Sequence, residues 1–166
     1  MNSKLFENIN QLISKSKGEM IPYGNDKHRF ELKRPVSEEE ITQFEKLHNI
    51  TFPTDYKEFL LSVGACTLFG TEYGLGIDFL PPDEIFDWSR QVFEGTGVDL
   101  FPSFLIIGSD NGHPMGFLIE KQENNFGVFY ADIPPEYWEE DTDFMNFNDW
   151  LKDLIQELVI LKTSFR

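Results

Sequence analysis

The chain has 166 residues, 40% of them hydrophobic and 15% aromatic, with 17 Phe. That content excludes wholesale disorder and suffices for one domain, residues 1–166, with a sizeable core. The net charge is −15 and uneven, +3 over residues 1–35 and −18 over residues 36–166. Such a field repels phosphate backbones, which argues against a nucleic-acid partner, and draws in basic proteins; it serves solubility equally well.

The apolar runs are only a few residues long, so no membrane span or membrane partner is expected. In the opening stretch MNSKLFENINQLISKSK, Glu7, Asn8, Asn10 and Gln11 interrupt any signal-peptide core. The single Cys66 has no partner within the chain, in keeping with a reducing compartment and a cytoplasmic protein.

Leu5, Phe6, Ile9, Leu12 and Ile13 recur at helical spacing and predict a first helix over residues 3–16. Gly18 and the cluster Pro22-Tyr23-Gly24-Asn25 end it. Residues 26–34 are basic, with Phe30 and Leu32 alternating, and read as a short edge strand. Ser37 followed by Glu40 is a capping box, with Val36 and Ile41 placed for a hydrophobic staple. Ile41, Phe44 and Leu47 then face inward. Pro53 suits the first turn of the next helix. Tyr56, Phe59, Leu60 and Val63 follow at i, i+3, i+4 and i+7, and Gly64 closes the helix with positive φ.

Beyond Gly64 the period changes. Thr67–Gly70 and Leu75–Phe79 predict strands around a turn at 71–74. Pro81-Pro82-Asp83-Glu84 opens a third helix containing Ile85, Phe86 and Trp88, and 94–103 is a loop. Phe104–Ile107, Met115–Glu120 and Phe126–Ile133 predict an antiparallel meander. Residues 134–143 are an acidic, proline-started connection. Phe147, Trp150, Leu151, Leu154, Ile155 and Leu158 mark a closing amphipathic helix.

Several of these pieces, in this order, resemble the SUKH superfamily from about residue 36 to 158, leaving residues 1–30 outside. The elements are Phe44-Glu45, Phe52-Pro53-x-x-Tyr56, Phe59-Leu60 before Gly64, Leu80-x-Pro82-x-Glu84-Ile85, the Phe104–Gly116 hairpin, and Phe147-x-x-Trp150-Leu151. Two departures stand out: Phe52-Pro53 replaces the usual Leu-Pro, and Val63-Gly64-Ala65 lacks the second Gly of the usual Asn-Gly-Gly. The resemblance implies an α+β domain with helices packed on a mainly antiparallel sheet. Many members are intracellular immunity proteins against secreted bacterial toxins. On that basis the expected partner is a cognate protein toxin, basic and possessing nuclease activity, bound by a monomer or weak homodimer. Some relatives act in signalling, so a regulatory scaffold is the first alternative. The matching positions Phe44, Pro53, Tyr56, Phe59, Leu60, Gly64 and Trp150 read as structural rather than as a binding box.

The candidate contact residues lie elsewhere. Glu136, Glu139, Glu140, Asp141 and Asp143 crowd into eight residues around Tyr137-Trp138. Clustered carboxylates suit a hard cation, and a metal-dependent hydrolase is the second alternative. However, the spacing fits no calcium loop and lacks its glycine, so no metal ligand is assigned. A solvated loop explains the acids better, and a loop that grips a basic surface through Tyr137 and Trp138 fits best. Asp110-Asn111-Gly112-His113 is a hairpin turn rather than an acid–base pair, with no Ser or Cys nucleophile beside it. His28 and His48 have no partners at metal-ligand spacing, and Cys66 has no sequence neighbour to lower its pKa. Gly70-x-x-x-Gly74-x-Gly76 lacks the Lys-Ser/Thr of a phosphate loop. No catalytic residue, cofactor or enzymatic activity is expected.

Overall fold

The chain follows its hydrophobic periods into alternating helices and hairpins. The structure, a computed structural model, describes the backbone of residues 3–164 and the side chains of residues 3–155. Helix α1 (Ser3–Ser16) leads into strands β1 (Ile21–Tyr23) and β2 (Asp26–Arg34), then helices α2 (Glu38–His48) and α3 (Thr54–Ser62). Strands β3 (Ala65–Gly70) and β4 (Ile77–Phe79) precede helix α4 (Pro82–Phe93). Strands β5 (Phe104–Asp110), β6 (His113–Leu118) and β7 (Phe126–Val128) follow. A single 3-10 turn (Pro135–Tyr137) runs into the short helix α5 (Trp138–Asp141), and α6 (Phe147–Ser164) closes the described chain. The fold is α+β. The seven strands form one antiparallel sheet in sequence order, β1 to β7.

Local chemistry sets the boundaries. Both bonds of the capping box are present at α2. The Glu40 amide donates to Ser37 Oγ and the Ser37 amide to Glu40 Oε1, each at 3.2 Å. At the turn into α3 the Phe52 amide donates to the Glu45 carboxylate at 2.7 Å. That bond explains why Phe44-Glu45 and Phe52-Pro53 belong together: one buries a ring and closes the turn that the other opens. Pro53 is the N-cap of α3 rather than its first helical residue, and its carbonyl accepts from Lys57. Gly64 takes φ +105 just past α3, and a Cβ there would press on the Arg34 carbonyl, so the position demands glycine.

Three sequence expectations are corrected. Strand β2 is interior, paired on both sides by β1 and β3; the edge is β1, because Gly24-Asn25 makes a tight hairpin rather than only ending a helix. Leu47 faces solvent at 78% exposure, since the inward stripe of α2 is set by Ile41 and Phe44. Strand β7 stops at Val128, because Phe129 turns into a second core described below. Leu158 lies outside the described side chains.

The main core lies on one face of the sheet, under α1, α3 and α6. Phe59 sits at its centre, 4.7 Å from Phe79 and 5.7 Å from Phe147 between ring centroids. Tyr56 packs at a tilt against Phe52 and Phe117, and Phe44 and Leu60 are also buried, while Trp150 packs partly exposed against the same core. Cys66 is fully buried and burial pushes its thiol pKa up, which leaves an inert thiol. The Tyr56 hydroxyl is buried without a hydrogen-bond partner.

Two substitutions test this core. Phe59→Ala is expected to cost about 3–5 kcal/mol, as a cavity at a fully buried aromatic. Tyr56→Phe removes an unsatisfied hydroxyl, so it should be neutral or stabilise by up to about 1 kcal/mol. Urea midpoints read both. A Phe59→Ala midpoint equal to the parent's would contradict the packing, as would a large loss from Tyr56→Phe.

Candidate functional site

The second core lies on the opposite face of the sheet. Strand β5 alternates: Leu105 and Ile107 feed the main core, while Phe104 and Ile106 point the other way. There they meet Leu118, Phe129, Phe93 of α4 and Trp138 of α5. The Trp138 indole stacks on Phe129 at 4.9 Å with planes 10° apart, and lies 5.7 Å from Phe93 and 5.9 Å from Phe104. Its Nε1–H donates to the Ile133 carbonyl at 2.9 Å.

This overturns the expectation that Trp138 grips a partner. The side chain is 3% exposed, and both its π-faces and its N–H are spent inside the molecule. The other expected contact residues are open to solvent: Glu136, Tyr137, Glu139, Glu140, Asp141 and Asp143 are all exposed. Pro134 and Pro135 start the 3-10 turn. At the far end, Phe126 and Met145 exchange backbone hydrogen bonds of 2.9 and 3.0 Å that tie the segment to β7. The acids therefore ride on an anchored segment, held below by a tryptophan and at one end by a strand bridge. Among the described residues none of the five carboxylates has a cationic partner within 4.0 Å.

The Phe93–Trp138 contact places α4 beside this segment. Asp83, Glu84 and Asp87 on α4, and Glu94 at its C-terminal cap, are exposed. Asp83 is tied to Arg34 at 2.7 Å, and Arg34 also holds Glu40 at 2.7 Å. The two stretches that build this layer, residues 82–103 and 129–146, contain eleven acidic residues and one basic residue, Arg90. Sequence reading located the acids of 136–143 but did not join α4 to them. The usable signal was Phe104-Leu105-Ile106-Ile107, a continuous apolar run of the kind that marks a strand buried on both faces.

The remaining candidates are structural. Asn111 and Gly112 take φ 50 and φ 92 in the β5–β6 turn, and His113 Nδ1 accepts from the Ala131 amide at 3.3 Å. Burial raises the Asp110 carboxyl above its ordinary value, with His113 opposing. The His48 ring is packed among Phe44, Phe86 and Phe101, and burial lowers its pKa. Among the described residues no three His, Cys, Asp or Glu side chains converge as metal ligands. Among the described residues no helix is long and apolar enough to cross a membrane.

Comparison with known proteins agrees with the residue-level resemblance. The pattern that defines the SMI1 / KNR4 family (SUKH-1) matches residues 35–153. The chain is similar to Immunity protein RhsIB of Dickeya dadantii (strain 3937), 37% identical over 154 residues that cover 91% of this chain and 93% of that protein. It is also similar to Uncharacterized protein YnaB of Bacillus subtilis (strain 168), 28% identical over 128 residues, 76% of this chain and 81% of that one.

The different roles within one short segment predict different mutational outcomes. Trp138→Ala should cost about 3–5 kcal/mol, because it empties the second core. The triple change Glu139→Lys, Glu140→Lys and Asp141→Lys should shift stability by no more than about 0.5 kcal/mol per site, because the side chains are exposed. Thermal or urea unfolding of both variants checks this. A stable Trp138→Ala protein, or a collapse of the triple variant, would reverse the assignment of inner and outer faces.

Proposed function

Because the chain belongs to the SMI1 / KNR4 family (SUKH-1), we propose that it is an immunity protein, one that binds a cognate protein toxin and neutralises it by occlusion rather than by catalysis. The observation that carries this reading is the 37% identity, across nearly the whole of both chains, with a protein named as an immunity protein. The acidic layer formed by α4 and residues 134–144 supports a particular mechanism. The carboxylates of residues 136–143, which among the described residues have no cationic partner within 4.0 Å, are available to pair with basic residues, and the field of the −15 chain steers a basic toxin toward them. A toxin that uses lysines and arginines to hold phosphate, as a nuclease does, would lose those residues to the complex. The site of action on this reading is the cytoplasm of the producing cell. Glu136, Tyr137, Glu139, Glu140, Asp141 and Asp143 are the contact residues we assign. Tyr137 supplies the exposed aromatic, with Trp138 fixing the segment from below.

The test uses the polypeptide encoded by the neighbouring gene as the candidate toxin. The parent protein should co-purify with it and protect cells that express it. Raising salt from about 50 to about 500 mM shortens the Debye length from about 14 to about 4 Å, so association should slow clearly while dissociation changes less. Stopped-flow rates that stay flat over that range would remove the steering mechanism. The triple change Glu139→Lys, Glu140→Lys and Asp141→Lys should weaken calorimetric binding by about 2 kcal/mol or more. Full protection and unchanged affinity in that variant would take this segment out of the interface.

A further inference from the structure

The second core covers only the β5–β7 half of its face of the sheet. Over β3 and β4 the same face turns polar, with Thr67 buried and Asp78 and Ser109 half-buried. Phe79 pairs with Cys66 on the main-core side, so the neighbouring pair Thr67 and Asp78 points the other way, with Ser109 alongside. Helix α4 stands beside this strip as a wall. Strip and helix enclose a cleft of about 370 Å³ bordered by Lys33, Asp78, Glu84, Asp87, Trp88 and Ser109. A second hollow of about 490 Å³ shares Asp87 and Gln91 with it and continues past Arg90, whose guanidinium lies over the Phe86 ring, toward Glu94 and Asp99. The strip is therefore part of a trough that runs along α4.

Three features of the cleft select a cationic side chain. Three carboxylates face one ammonium, and among the described residues Glu84 and Asp87 have no cationic partner. Trp88 is half-buried, and its Nε1–H is already given to the Gly108 carbonyl at 3.0 Å. The indole is thus held in place with its N–H unavailable, packed in part against the second core, while its remaining apolar surface lines the cleft. Lys33, finally, shows the chemistry in miniature. This long basic side chain of the protein itself reaches over β3 into the cleft and rests 3.3 Å from Asp78, whose Oδ1 accepts from Thr67 Oγ1 at 2.6 Å.

We infer that this cleft is the seat of an arginine side chain of the toxin, its guanidinium between the Glu84 and Asp87 carboxylates and its stem along Trp88; the inference rests on the toxin-binding reading above. A planar guanidinium satisfies both parts of the site at once, because it stacks on an aromatic ring and forks to a carboxylate. The cleft lies at one end of the acidic layer, so an arginine seated there would also fix the register of the toxin against the 136–143 carboxylates.

Trp88 is the reporter. Its indole N–H resonance, assigned with Trp88→Phe, is followed while the full chain is titrated with a triarginine peptide and, in parallel, trialanine. Triarginine should shift the Trp88 signal saturably and leave those of Trp138 and Trp150 in place, and trialanine should shift none. In Glu84→Gln/Asp87→Asn, checked for unchanged far-UV circular dichroism, the peptide should bind about tenfold more weakly or worse, and the neighbouring-gene polypeptide about a hundredfold more weakly. An unmoved Trp88 signal overturns the cleft as a cation seat, as does an equal shift in the double variant. Unchanged affinity of the double variant for the neighbouring-gene polypeptide overturns the cleft and leaves the immunity reading standing. A Trp88 shift with triarginine in a parent that fails to bind that polypeptide removes the immunity reading, and the toxin as occupant with it. A Trp88 shift on raising protein concentration alone assigns the cleft to a second copy of the chain and overturns the arginine.

Discussion

Strand β5 has no solvent side along Phe104–Ile107: all four side chains are buried, two toward each face of the sheet. A strand in that position requires a layer on both faces, and the rest of the architecture answers to it. On one side α1, α3 and α6 supply the cover, with Phe59 and Phe147 reaching the sheet. On the other side the cover is assembled from the single helix α4 and an anchored loop, whose inner surface is Phe93, Phe129 and Trp138. Gly116, opposite Ile106, belongs to the same constraint, because a Cβ there would collide with the Leu105 carbonyl.

The acidic surface is a consequence of that second layer. A thin cover of one helix and a short loop spends its few large apolar side chains inward, so its outer positions fall to polar residues. Here those are mostly acids, with no basic residue between Lys121 and Lys152 in the sequence and the Lys121 ammonium 5.4 Å over the Phe144 ring at the edge of the segment. Their mutual repulsion is affordable because they are solvated and because Trp138 and the Phe126–Met145 bridge hold the backbone underneath. The buried anchor and the proposed contact residues thus lie on opposite sides of the same segment, one residue apart in sequence.

The family positions tell a complementary story. Phe44, Tyr56, Phe59, Leu60 and Gly64 are occupied with packing and turn geometry, and Glu45 closes the turn before α3. Residues of this kind transmit a fold between relatives without specifying what the fold binds. The outer side of the second layer and the strip beside it, which we propose as the recognition surface, are where substitution costs the core little.

The amino-acid sequence by itself determined the local pieces. Ser37 and Glu40 start a helix whatever surrounds them, Asn111-Gly112 makes a hairpin because both accept positive φ, and Gly64 ends α3 because other residues are strained there. Periodicity, which reports one buried face of one element at a time, was enough for the longer helices and the meander, while strand β1 and the short helix α5 escaped it. It was not enough for positions whose environment is made by distant segments. Leu47 fits the stripe of α2 but finds nothing to pack on, and β2 becomes interior only because β1 folds back against it. Trp138, amid five acids, reads as a surface anchor until Phe93 and Phe129, 45 residues before it and 9 residues before it, arrive at its two sides. Burial is a sum over contacts from the whole chain, so the tertiary structure alone decided which aromatic was core, which acids shared a face, and where the sheet turned polar.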